Sequence, residues 1–271
     1  MYDEPGLNTK RSSKMAGFPE ISVASATAPA GPNNFISTSK KAVSTEELVA
    51  ELEEGLLQPG RDRTRHPFVE AVYAGKATLE QIGAWRHQVN HMAYPINKMF
   101  GYMWSRCPDA DLAAGIIENM MEEEHGASSG TKGHIELNNT FLDHLGWPEE
   151  RRNRVGATKA TLALRHWLEL VITNRPFAEC LAAVSFTAER HNPPVNQKIL
   201  DGLKKHYKLP EEAITTIHVH ASHVEEEHGM LGPVAFSRYA TTPYAQDRIR
   251  ATVYHTAELY YDVYDVWEDY K

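Results

Sequence analysis

From Ser44 nearly to the C-terminus, apolar residues recur every three to four positions, and helix start and stop signals arrive at regular intervals. That period belongs to amphipathic helices, and no stretch alternates as a half-buried strand does. Ser44 and Glu47 form a capping box before a run to about Leu57, and Thr78 with Gln81 forms another. The second box opens a long helix through Trp85, Met92, Ile96 and Met103 that Pro95 should kink. Asp109 is placed to cap a helix through Leu112, Ile116 and Met120, which Gly126, Gly130 and Gly133 break. A further run begins at His134 and stops at Gly146, and similar segments cover 157–173, 176–192, 194–208, 211–240 and 243–270. The expected fold is all-α, a single bundle of about seven to eight helices over residues 44–271.

Residues 1–43 are rich in Ser, Ala, Pro, Gly, Thr, Lys and Asn, and bury too little apolar surface to offset their ordering entropy. They read as a flexible tail. The chain carries 36 acidic and 28 basic residues, a net charge of −8, which argues against a nucleic-acid or anionic-membrane partner. Cys107 and Cys180 make neither a disulfide framework nor a CxxC site, pointing to a reducing compartment, the cytoplasm. No apolar run reaches the ~18–20 residues that span a bilayer. Glycine-rich nucleotide loops and the GxSxG elbow are also missing from the sequence.

The chemistry lies in carboxylates and imidazoles at helical spacing. Glu225 and His228 stand at i and i+3, so both leave one helix face, and Glu122 with His125 repeats the spacing. Bundles assemble two-metal carboxylate sites from Glu-x-x-His pairs on two helices plus Glu residues from others. Glu189, in FTAERHNPP at the end of an apolar run, is the candidate for such a carboxylate, and His218, His220 and His223 crowd the turns before Glu225. Against this stands the ordinary reading of EEEH strings as solvated helix faces. His66 reads equally as a structural histidine or a substrate contact, while Arg86, His91, Tyr94 and Lys98 share one long helix that could border a cavity. Tyr254, Tyr260, Tyr261, Tyr264 and Trp267 form a packing face or a homodimer face.

Three stretches carry a resemblance: RHPFVEAVYAGKATLEQIGAWRHQVNHMAYPINKMF, HIELNNTFLDHLG and HVEEEHG. Together they resemble the haem-oxygenase-like superfamily in its TenA and pyrroloquinoline quinone synthase C branch, from about Arg65 to His255. The resemblance to its di-iron oxidases and oxygenases implies two Fe(II) per chain, held by Glu124, His134, Glu189, Glu225, His228 and His220. The first histidine of the family's last motif falls on Ala221, so His220 would have to be brought round by a π-bulge. The implied activity is O2-dependent oxidation of a small amino-acid or amine-bearing metabolite by N-oxygenation, oxidative cleavage or desaturation. Manganese suits the same ligands. Two other functions fit the resemblance: a metal-free pyrroloquinoline quinone synthase-like oxidase or TenA-like hydrolase, and a non-catalytic iron or ligand binder.

Overall fold

The computed structural model describes residues 37–93, 95–222 and 229–270, apart from the side chains of Ile96 and Asn97, and among these there is helix and no strand. We number the helices α1 (Thr45–Leu56), α2 (Pro67–Tyr73), α3 (Leu79–Ala93), α4 (Ile96–Arg106), α5 (Ala110–His125), α6 (His134–His144), α7 (Glu149–Arg152) and α8 (Lys159–Asn174). They continue as α9 (Phe177–Leu181), α10 (Asn192–His206), α11 (Glu211–His220), α12 (Leu231–Tyr239) and α13 (Pro243–Val263). A π-helix, Ala182–Glu189, extends α9, and short 3-10 turns lie at Arg63–Arg65 and Tyr264–Asp269.

The helices outnumber the expected seven to eight because several long segments divide. Pro95, which lacks an N–H, separates α3 from α4. The segment 211–240 is not one helix: α11 ends at His220, and Ala221 closes it with bonds to the carbonyls of Ile217 and His218. Both capping boxes form, Ser44 with Glu47 and Thr78 with Gln81. Asp109 makes no capping bond to α5; its carboxylate is taken by the Tyr239 hydroxyl and by Arg238 at 3.3 Å.

Burial explains the arrangement of the long helices. α13 lies against α8 and the π-helix, while α11 packs on α6 and α10, and α10 on α2. A Cβ on Gly202 would stand 2.5 Å from the Val72 carbonyl oxygen, so glycine lets α10 approach the backbone of α2. Phe68, Trp85, Phe141 and Trp147 fill one part of the core, and Leu164, Leu168, Val171 and Leu181 another. Tyr260 and Tyr264, assigned to a packing or dimer face, are buried within the chain, and Tyr264 lies 5.4 Å from Trp85 between ring centroids.

Residues 37–43, which composition assigns to the tail, are fastened to α13. The Asp247 carboxylate accepts from Ser37 Oγ (2.7 Å), Thr38 N (2.9 Å), Ser39 N (2.9 Å) and Ser39 Oγ (2.5 Å). Gln246 Oε1 accepts from Val43 N at 2.9 Å, and its Nε2 donates to Val43 O at 2.8 Å.

Candidate metal centre

Three ligand-type side chains meet where α5, α6 and α11 converge: Glu123, His134 and His220. Their nearest donor atoms all lie within 4.8 Å of one another. Donors bound at ~2.0–2.2 Å around one ion lie roughly 3–4.4 Å apart, so this spacing fits a shared cation after small movements.

The proton positions favour the same conclusion. Glu122, 1% exposed, accepts from Ser128 N at 2.6 Å and Ser129 N at 3.0 Å, and meets His134 Nε2 at 3.2 Å. Burial pushes the Glu122 carboxyl up, but the bonds from His134, Ser129 and Ser128 outweigh it and hold the group well below the usual carboxylate range. An ionised carboxylate only accepts, so Glu122 holds a proton on His134 Nε2, and Nδ1, 3.0 Å from Glu123 Oε1, is the nitrogen that would turn to an ion. His220 is the mirror case: Nδ1 meets the Thr216 carbonyl at 2.7 Å, which keeps the proton there and leaves Nε2 as the donor. Burial pushes His220 down to about 3, and the nearby His134 and Arg86 charges add to it, so the ring is neutral. The two rings lie 4.6 Å apart between centroids.

Glu189 faces the same cavity from the π-helix. There Arg190 N bonds Ser185 O, an i to i+5 closure, which turns the end of an apolar helix so that an acid points inward. Glu189 is 7% exposed, and its Oε1 accepts from Asn119 Nδ2 at 2.6 Å. The cavity holds about 90 Å³ and includes Trp85, Arg86, Met92, Leu164 and Tyr260 in its wall.

Of the residues singled out in the sequence, His134 and His220 meet at this cluster and Glu189 lines the same cavity. Glu124 does not: it is exposed on the outer side of α5, and Glu123 meets His134 in its place. His125 is also exposed, and Glu122 braces the far nitrogen of His134. Helical register narrows the acidic run to Glu122 and Glu123, three and four positions after Asn119 on the face of Leu112 and Ile116, and leaves Glu124 off it. His220 needs no π-bulge in α11, because the α-helix already turns it toward His134. Glu225, His228 and His223 lie outside the described residues, as does Tyr94. His218 and Lys98 are exposed, and His91 faces His87 and the Val155 carbonyl instead of the centre. His66 is structural: Nδ1 accepts from Phe68 N at 3.1 Å to cap α2, and Nε2 meets Asp265 at 3.0 Å.

An all-α bundle that turns a carboxylate and two imidazoles inward belongs to the class of helical bundles that build sites from side chains on facing helices. Residues 84–261 match the family described as iron-containing redox enzyme, and the chain belongs to that family. It is 27% identical over 168 residues to a pyrroloquinoline-quinone synthase of Pseudomonas aeruginosa, covering 60% of this chain and 65% of that protein, just under two thirds of its length. It is also 27% identical over 173 residues to a 4-aminobenzoate synthase of Chlamydia pneumoniae, covering 62% of this chain and 74% of the relative. In fold it is similar to a TenA homologue from Pseudomonas syringae, with a TM-score of 0.69 at 11% identity over 85% of this chain and 99% of the other. No described helix is long and apolar enough to cross a membrane.

Proposed function

We propose that this protein is a non-haem iron enzyme that uses O2 to oxidise a small amino-acid or amine-bearing molecule held in the cavity beside Glu123, His134 and His220. The observation that carries the reading is the tautomer arrangement. One nitrogen of each imidazole is engaged away from the centre, His134 Nε2 by Glu122 and His220 Nδ1 by the Thr216 carbonyl, which leaves the other nitrogen on the side where an ion would sit. Glu123, His134 and His220 would hold the first ion, and Glu189 is the carboxylate set for a second, with Glu225 and His228 proposed to complete it. Bound iron would supply the electrons that O2 reduction requires.

The chain's own residues do the positioning. Arg86 donates to Asn138 Oδ1 at 3.0 Å and to Thr216 Oγ1 at 2.7 Å, bracing α3 against α6 and α11 around the two histidines. Trp85, Leu164, Val184 and Val263 keep one side of the cavity dry, which strengthens polar contacts to a bound ligand. On the scale where one water needs ~10–15 Å³, a cavity of 90 Å³ takes roughly six to nine waters, the room of a small metabolite. The description iron-containing redox enzyme supports the metal, and two relatives named as synthases support a biosynthetic role. The reading includes a reducing compartment, the cytoplasm, supported by two free thiols, Cys107 and Cys180.

The test is to load purified protein with Fe(II) anaerobically, count retained iron, and follow O2 consumption. Retained iron that is lost in His134→Ala and His220→Ala, together with iron-dependent O2 uptake, is the expected result. Two irons per chain would support the second site, and one would remove it. No retained iron, or O2 uptake indifferent to both variants, would overturn the proposal in favour of metal-free chemistry on the same fold.

A further inference from the structure

Arg63 is 3% exposed, yet the described residues give it no counter-anion. Its Nη1 donates to Asn192 Oδ1 at 3.2 Å, and Nη2 donates to the carbonyls of Thr187 (3.3 Å) and Ala188 (3.2 Å), all neutral acceptors. The guanidinium carbon also lies 5.0 Å from the centre of the Tyr260 ring. Arg248, equally buried at 4%, shows the ordinary solution: it grips both oxygens of Glu179 at 2.5 and 3.1 Å. A buried cation left with dipoles alone is expensive, and natural chains seldom keep one without a use.

Its position supplies the use. Arg63 lines the cavity that contains Glu123, His134, Glu189 and His220. No carboxylate of the described residues comes within 4.0 Å of Arg63, and Glu189 Oε1 accepts from Asn119. Nε of Arg63 makes no hydrogen bond among the described residues, so the fork retains donor capacity toward a ligand. Metal held by Glu123 and Glu189 would absorb their charge and leave the guanidinium still seeking an anion. The cavity wall also includes the apolar Val89, Leu164, Val184 and Val263.

We infer that Arg63 anchors the carboxylate of the substrate, which is therefore a small carboxylic acid with an apolar body lying along the α3, α8 and α13 wall. This rests on the reading of the cavity as the oxidation site. It makes Arg63 a specificity-determining residue and directs the far end of the acid toward His134 and His220.

The probe is pentanoate against its neutral isostere pentanamide, titrated calorimetrically into the protein as isolated and again after iron loading, with iron counted in parallel. Wild type should prefer pentanoate by about tenfold to a hundredfold, the range for a hydrogen-bonded charge. Arg63→Gln should bring the two ligands within about twofold while retaining its iron. Its melting temperature should not fall, because the substitution removes an uncompensated buried charge. If Arg63→Gln does not fold, Arg63→Lys carries the test: it keeps the charge, loses the fork, and should shrink the preference.

Equal binding of acid and amide by wild type would overturn the proposal. So would a preference that survives in Arg63→Gln, is unchanged in Arg63→Lys, or appears only after iron loading and independently of Arg63, since the metal would then hold the carboxylate. Absence of retained iron with the preference intact would remove the iron reading and leave the carboxylate anchor standing. The reverse pattern would remove only the anchor.

Discussion

Glu122→Gln is the sharpest test of how this centre is built, because it changes one proton and almost no volume. In the native chain the Glu122 carboxylate accepts three bonds, from Ser128 N, Ser129 N and His134 Nε2. A glutamine can keep the two backbone donors on its carbonyl oxygen, but its amide nitrogen then faces His134 and must donate. That transfers the imidazole proton to Nδ1, the atom 3.0 Å from Glu123, and removes the lone pair the metal would use. Loss of an outer carboxylate of this kind typically weakens metal binding by about 10- to 100-fold, or about 1.4–2.7 kcal/mol. Folding stability should fall by about 1–3 kcal/mol, the scale of one charged hydrogen bond. The Glu122 carboxyl is held below its ordinary value near 4.5, so its contribution is present above that pH and is lost as pH falls below it. The variant should therefore lose less stability than wild type between neutral and acid pH. The assays are anaerobic Fe(II) competition against a chelator, nitrogen NMR of the His134 tautomer, and urea melts at two pH values. Wild-type iron affinity with the His134 proton still on Nε2 would refute the reasoning.

Other substitutions separate the centre from its scaffold. Glu123→Ala should abolish retained iron while Glu124→Ala leaves it unchanged, as read by metal analysis after desalting, because Glu123 meets His134 Nδ1 and Glu124 is exposed. Arg248→Ala should destabilise by about 3–5 kcal/mol in denaturant titration by stranding the Glu179 charge, whereas Arg248→Met with Glu179→Leu should recover most of that loss. Asp247→Ala should release residues 37–43 and speed limited proteolysis there, since it removes the acceptor for Ser37, Thr38 and Ser39. Burial raises the Asp247 carboxyl, but the bonds from Ser37, Ser39 and Thr38 hold it below its ordinary 3.8, so acid should release the wild-type segment as pH drops below that value. Unchanged cleavage at acid pH would contradict this.

What the sequence reveals about this site depends on whether a residue violates its local pattern. Glu189 is legible because an acid at the end of the apolar run from Phe177 needs a reason, and the structure supplies one in Asn119 and the cavity. The π-helix that aims it leaves no trace, since residues such as Ala182, Ala183 and Val184 suit a buried α-helix equally well. The helices around it are legible from period and caps because those signals are local. Glu123 is harder: Glu122, Glu123 and Glu124 form one acidic run, and resemblance to a family motif points to the third. The register from Leu112 through Ile116 and Asn119 excludes the third but admits the first two, and only the fold shows that Glu122 takes Nε2 of His134 and Glu123 takes Nδ1. Arg63 is hidden altogether, because RDRTR looks like a solvated loop and nothing local separates Arg63, buried against the π-helix, from Arg65, whose side chain is 78% exposed. Arg63 is hidden because its contacts lie far along the chain, as with Thr187, 124 residues away.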